Sequence, residues 1–194
     1  MNSTNTSQHS ILVKLYLEAA SDLLVVYGAK TNFVGAPASK TLGRNKSSYV
    51  SVLGATGEGI ALSSVLKVDR NLLTGMYPLV DCAEIPRVDR AEISRGYLED
   101  WLRELNNQLV GRMKNKLSRY GVTLTMGLPL PLTGTADGAA GAPDLLVTEH
   151  SFRTGDGEMA LTLATLVSED LELQERESTT ECEANLLETA IALF

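Results

Sequence analysis

Arg90–Tyr120, RAEISRGYLEDWLRELNNQLVGRMKNKLSRY, is the stretch on which the fold turns. Its apolar residues Leu98, Leu102, Leu105, Leu109, Met113 and Leu117 recur in steps of three or four. At about 100° per residue they share one side of a helix, as an amphipathic helix lying on a core requires. Asp100, Glu104, Asn107 and Gly111 fall on the opposite side. Glu104 and Asn107 are three apart and therefore neighbours on the helix surface, able to act on one target together. Gly111 follows one turn later on the same face, although an interior helix glycine costs roughly 1 kcal/mol against alanine. Close approach of another backbone is one reason to keep it. This polar face is the candidate functional site.

The rest of the chain builds a sheet for that helix to cover. A first helix is expected from Ser10 to about Tyr27, with Ile11, Leu12, Leu15, Ala19, Leu23 and Val26 as its buried stripe and Gly28 as its stop. Ala29–Val34 is a short strand candidate and Gly35–Ser47 a loop. Tyr49–Leu53 and Gly59–Leu62 flank a glycine-bearing turn, which predicts a hairpin. Ser63 or Ser64 is read as the cap of a short helix ending before Pro78, and Asp89 with Glu92 as a capping box for the long helix. Val122–Met126, Leu145–Phe152 and Met159–Val167 are the later strand candidates, with a loop over Gly127–Pro143. Trp101 and Tyr97 are expected to pack at the edge of the core.

The two halves repeat. One helix ends in Tyr27-Gly28, the other in Tyr120-Gly121; one hairpin turn reads Thr56-Gly57-Glu58-Gly59, the other Thr154-Gly155-Asp156-Gly157. Helix, strand, loop and hairpin follow in the same order, which points to duplication of one unit. Two such units sharing a sheet give an α+β fold with pseudo-two-fold symmetry, both long helices on one face of a mainly antiparallel sheet. The helix ends are 93 residues apart, and that offset places Ile11 and Lys14 opposite Glu104 and Asn107. The Glu-x-x-Asn pair thus occurs once per chain.

Composition narrows the function. With 194 residues and 44% apolar content the chain holds one well-buried core. A net charge of −7 and the lack of a basic stripe argue against a nucleic-acid partner. Residues 1–9 are read as a disordered polar tail that includes His9, 10–167 as the folded domain, and 168–194 as a charged linker with an apolar end, Ala184–Phe194. No signal peptide and no membrane span are expected, so the chain is placed in the cytoplasm. Cys82 and Cys182 are a hundred residues apart. That spacing admits a disulfide, but two free thiols are the expectation in a cytoplasmic chain. His9 and His150 have no metal-type neighbours in sequence, and no metal site of the chain's own is expected.

Glu104-Leu105-Asn106-Asn107-Gln108-Leu109-Val110-Gly111 resembles the helix motif of the CheC/CheX/FliY chemotaxis phosphatases, Glu-x-x-Asn followed four residues on by Gly. Gly54-Ala55-Thr56-Gly57-Glu58-Gly59 with Ala61-Leu62-Ser63 is similar to the first hairpin of that family, and Gly127-Leu128-Pro129 with Thr133-Gly134 to its post-helix segment. The likeness runs from about Leu15 to Val167, and the single Glu-x-x-Asn pair points to CheX. Residues 168–194 and the Ala136–Pro143 loop depart from the pattern. The resemblance implies hydrolysis of the aspartyl phosphate of a CheY-like response-regulator receiver. Asn107 would place the attacking water, Glu104 would pair with the receiver's active-site lysine, and Gly111 and Asp100 would meet the receiver. Mg²⁺ is expected on the receiver, and no cofactor on this chain. The alternative is a noncatalytic module binding a receiver or another signalling protein with the same helix face. A role in a motor switch, as in FliY-type relatives, fits less well because no motor-binding domain is appended. The resemblance is compatible with a homodimer joined edge to edge.

Overall fold

The computed structural model describes residues 3–27, 36–37, 48–77, 93–128, 130–131 and 145–175. In chain order the elements are α1 (Ser3–Val26), β1 (Ala36–Pro37), β2 (Ser48–Gly57), β3 (Ile60–Asp69), α2 (Arg70–Met76), α3 (Arg95–Leu117), β4 (Leu124–Met126), β5 (Leu130–Pro131), β6 (Leu146–Thr154) and β7 (Gly157–Val167). A single 3-10 turn, Ser118–Tyr120, follows α3, and Gly121 closes it at φ 75°.

The strands form one antiparallel sheet of seven in the order β1-β6-β7-β3-β2-β4, with β5 also on β2. The two hairpins, β2–β3 and β6–β7, meet at β3 and β7 in the centre. The short strands after each long helix cross to the other unit's hairpin. β1, which follows α1, pairs with β6, while β4 and β5, which follow α3, pair with β2. The duplicated units are therefore interlaced, and neither closes its own part of the sheet alone.

Alternation fixes which side of the sheet the helices cover. Along β3, Ile60, Leu62, Ser64, Leu66 and Val68 are buried and the intervening residues are not. In β7 the inward set is Met159, Leu161, Leu163, Thr165 and Val167. The apolar members of both sets join Leu12, Leu15, Tyr16, Ala19 and Leu23 of α1 and the whole predicted stripe of α3 in one apolar cluster. Both long helices thus lie on one face of the antiparallel sheet, as the sequence pattern requires. They run antiparallel to each other: Tyr27 at the end of α1 meets Trp101 and Gln108 of α3, while Lys116 pairs with Glu18 and Asp22 (3.8 and 2.9 Å).

Several expectations change on contact with the structure. The segment from Ser3 to His9 is helix rather than a disordered tail. Its composition carries little apolar signal, and tertiary contacts secure it instead. The Gln8 Oε1 accepts from the Leu173 backbone N–H at 3.0 Å. His9 bridges two strands, Nδ1 to the Thr165 hydroxyl at 2.7 Å and Nε2 to the Thr148 hydroxyl at 2.6 Å. Ser10 is not a cap; it lies inside α1 and donates to the Thr6 carbonyl. Ser63 and Ser64 belong to β3, because inward and outward positions keep alternating through Asp69, and α2 starts only at Arg70. The cap of α3 is Ser94, whose Oγ accepts from the Tyr97 N–H at 3.5 Å. Tyr97, expected at the core edge, is 63% exposed, whereas Trp101 is largely buried. Between β7 and residue 175 the chain is only partly solvated, since Leu173 is buried. Asp89 with Glu92, Ala29–Val34, Ala136–Pro143, Cys82, Cys182 and Ala184–Phe194 lie outside the described residues.

The half-buried position of His9 has a measurable consequence. Burial lowers the affinity of both His9 and His150 for a proton relative to ordinary histidine. The unfolded chain then takes up protons first as pH falls through about 6.5, so stability drops on the acid side of that value. Wild type is expected to melt at a lower temperature at pH 5.5 than at pH 7.5. His9→Gln should shrink that difference, which paired thermal melts at the two pH values would show.

One polar cluster sits inside the apolar layer. The Asn106 Oδ1 accepts from the Ser64 hydroxyl at 2.7 Å, and the Tyr16 hydroxyl meets the same Ser64 oxygen at 2.6 Å. Asn106 Nδ2 donates to the Ser51 carbonyl, the Ser51 Oγ and the Ser64 carbonyl at 3.2 to 3.3 Å. All four residues are essentially inaccessible to water. The single Ser64 hydroxyl proton is committed to Asn106, so the Tyr16 hydroxyl is the donor to Ser64, and burial raises its pKa above the ordinary value. Four hydrogen-bonded side chains from α1, β2, β3 and α3 fix how α3 is turned on the sheet.

Candidate functional site

That rotation decides what α3 presents to solvent. Leu105, Asn106, Leu109 and Val110 point at the sheet; Asp100 and Glu104 are exposed, and Asn107 and Gly111 are half-buried at the surface. The four residues singled out from the sequence are brought together on one outward face. The helix turns every 3.6 residues, so Asp100, Glu104, Asn107 and Gly111 succeed one another along that face.

Their surroundings differ. The Glu104 carboxylate is tied, its Oε1 accepting from the Gln108 Nε2 at 2.9 Å. Gln108 in turn accepts at Oε1 from the Tyr27 hydroxyl of α1 at 2.8 Å. Among the described residues, the Asn107 amide has no hydrogen-bond partner. Asp100 is engaged by Arg103 one turn on. It is thus a neutralised neighbour of the site rather than a free carboxylate. Gly111 has open space where a side chain would be, with nothing within 4 Å of a Cβ built there. Nothing among the described residues demands a glycine at that position.

The charge along α3 is graded. Glu99, Asp100 and Glu104 lie in its first half with Arg95 and Arg103, and Arg112, Lys114 and Lys116 lie in its second. Lysines in the last turn complement the helix dipole, and Arg95–Glu99 is an ordinary surface pair at 2.7 Å. Chemically, a fixed carboxylate one turn from an unpartnered amide can hold a cation of a docked partner and orient a small polar molecule beside it. The amide has both a donor and an acceptor end, and neither group needs to titrate to do this. Sequence reasoning missed Gln108 and Tyr27. The signal for Gln108 was its position four residues after Glu104, within reach on a helix. Nothing in the sequence pointed to Tyr27, because its contact depends on how α1 packs on α3.

Among the described residues, no group of three or more His, Cys, Asp or Glu could hold a metal ion, and no helix is long and apolar enough to cross a membrane.

No protein-family model matches the chain, and no curated protein does. Solved structures do. A CheC-like chemotactic protein of Shewanella oneidensis MR-1 matches with a TM-score of 0.60 at 17% identity, over 80% of this chain and 97% of that one. CheX of Borrelia burgdorferi, in a complex with CheY, BeF₃ and Mg²⁺, matches with a TM-score of 0.51 at 14% identity, over 81% and 97%. FliY of Thermotoga maritima matches with a TM-score of 0.51 at 17% identity, over 88% and 93%. The likeness at these identities is one of fold: the chain, an interlaced double unit with two long helices on one side of an antiparallel sheet, has the fold of the CheC, CheX and FliY chemotaxis proteins.

Proposed function

We propose that the chain is a phosphatase that hydrolyses the aspartyl phosphate of a CheY-like receiver domain. It would work with α3 laid against the receiver in the cytoplasm. The observation that carries this reading is the outward pairing, once per chain and on this fold, of a tethered Glu104 carboxylate with an Asn107 amide that has no partner among the described residues.

The chemistry asks little of the chain. An acyl phosphate is already reactive, and the receiver would hold the Mg²⁺ that offsets phosphoryl charge. A water attacks phosphorus in line, the bond from phosphorus to the aspartyl oxygen breaks, and the carboxylate and inorganic phosphate leave. Asn107 accepts a hydrogen bond from that water and so fixes its line of approach; holding it there is an entropic contribution. Glu104 meets the receiver's active-site lysine and sets the docking register. Asp100 and Gly111 border the contact. No intermediate forms on this chain. The far edge of β6 is paired only at His150 and Ser151 among the described residues, which leaves room for a second copy to add to the sheet as a homodimer.

The test follows the decay of ³²P-labelled receiver domains from the same organism with and without the full chain, and with Glu104→Ala. Faster decay with wild type, and a raised KM with the variant, are expected. Binding to a Mg²⁺–BeF₃-loaded receiver without faster decay of any labelled receiver would replace the phosphatase by a noncatalytic receiver-binding module.

Gly111 gives a prediction of opposite signs. Alanine meets no atom there and favours the helix, so Gly111→Ala should raise stability by up to about 1 kcal/mol. If the receiver backbone approaches at this point, the same methyl should weaken binding about tenfold. Melting temperature and affinity for the Mg²⁺–BeF₃-loaded receiver should therefore move in opposite directions.

A further inference from the structure

We propose that Gln108 and Tyr27 are a positioning pair that presents the Glu104 carboxylate to the cation of the docked partner. This rests on the reading of α3 as the receiver-facing helix.

An exposed glutamate on a helix ordinarily samples several rotamers. Here its Oε1 is held by the Gln108 Nε2 at 2.9 Å. The amide cannot be turned round without loss. A carboxylate only accepts, so the NH₂ end of Gln108 must face Glu104. Its other end, Oε1, then faces α1, where the Tyr27 hydroxyl donates to it at 2.8 Å. Both ends of one amide are thereby specified by different helices.

Tyr27 is itself held in place. Its ring stands edge-on to Trp101, with centroids 5.1 Å apart and planes at 83°. Tyr77 stands edge-on to Trp101 as well, at 6.0 Å and 72°. A continuous path thus leads from an aromatic cluster at the core margin, through Tyr27 and Gln108, to one oxygen of Glu104. The second oxygen, Oε2, has no partner among the described residues and is left for the cation. Asn107 takes no part in the path. The pair should accordingly govern docking, which Glu104 serves, and not the turnover that Asn107 serves.

The experiment uses the full chain with Tyr27→Phe, which removes the hydroxyl and keeps the ring on Trp101, and Gln108→Leu. Two readouts are needed. The first is the set of three-bond NMR couplings of the Glu104 side chain in the free protein. One rotamer is expected in wild type and an averaged set in both variants. The second is the decay of ³²P-labelled CheY-type receiver at graded concentrations. Each variant should raise KM about fivefold with kcat within about twofold, the size expected for one lost hydrogen bond. Neither change should add anything on a Glu104→Ala background. Averaged couplings in wild type, an unchanged KM, or a full additional loss without Glu104 would each overturn the pairing. Should wild type accelerate no receiver at all, the phosphatase reading fails, and the couplings alone then decide the positioning: locked in wild type and released in Tyr27→Phe upholds it, any other pattern ends it.

Discussion

Asn107→Ala is expected to slow the protein-dependent decay of phosphorylated receiver by about 100-fold, a loss typical of a misplaced reacting group. The melting temperature should move by less than about 2 °C, as for surface substitutions that touch nothing. The two halves of that expectation come from the same observation. The Asn107 amide makes no hydrogen bond among the described residues and lies at the surface, so its removal unpairs none of their buried groups and opens no core cavity. What disappears is an acceptor and a donor at the surface of α3, one turn from Glu104. Affinity for the Mg²⁺–BeF₃-loaded receiver should fall far less than the rate, because docking runs through Glu104. Asn107→Asp is informative beside it. It keeps an acceptor in nearly the same place but adds a negative charge next to a phosphoryl group, so it too should be slow. A decay rate unchanged by Asn107→Ala would remove Asn107 from the reaction and, with it, the water-positioning step.

The long helix was legible because its signal is redundant. Six apolar residues at helical spacing all proved buried, and the polar face opposite them follows by geometry. The two hairpins were legible for a similar reason, although their strands run longer and their turns tighter than the alternating residues suggested. Gly59 at φ 71° and the Gly155-Asp156 turn reverse the chain in two residues each. Less could be read where structure depends on distant partners. β1 and β5 are two residues long, too short for any period, and they are strands only because the other unit's hairpin is there to receive them. The first turns of α1 read as a tail because Ser, Thr, Asn and Gln dominate them, yet Gln8 is held by the segment after β7 and His9 by β6 and β7. Ser64 looked like a cap, as serine usually does before a helix, and instead it faces the core. In the candidate site the shared outward face of Asp100, Glu104, Asn107 and Gly111 could be read in advance. What holds them could not, since both Tyr27 and the Asn106 cluster join elements far apart in the chain.

Asn106→Ala should have the converse effect to its neighbour, lowering stability by about 3 kcal/mol, or roughly 10 °C in melting temperature for a domain of this size. Asn106 is fully buried and hydrogen-bonds to two serine side chains and two backbone carbonyls. Truncation would take a second hydrogen bond from each of the Ser51 and Ser64 carbonyls, leave the buried Ser64 hydroxyl without its acceptor, and add the cavity of the lost amide. The Tyr16–Ser64 hydrogen bond survives, so the cluster is halved rather than erased. Asn106→Asp should be worse at neutral pH, because no cation contacts this position and a carboxylate would be buried without one. Thermal melts of Asn106→Ala and Asn107→Ala side by side make the comparison sharp. Two adjacent asparagines differ by one step of 100° around the helix, which turns one into the core and the other to the surface. If Asn106→Ala melted within about 2 °C of wild type, α3 would be held by its apolar stripe alone, and the buried polar cluster would have no part in setting which residues reach the surface.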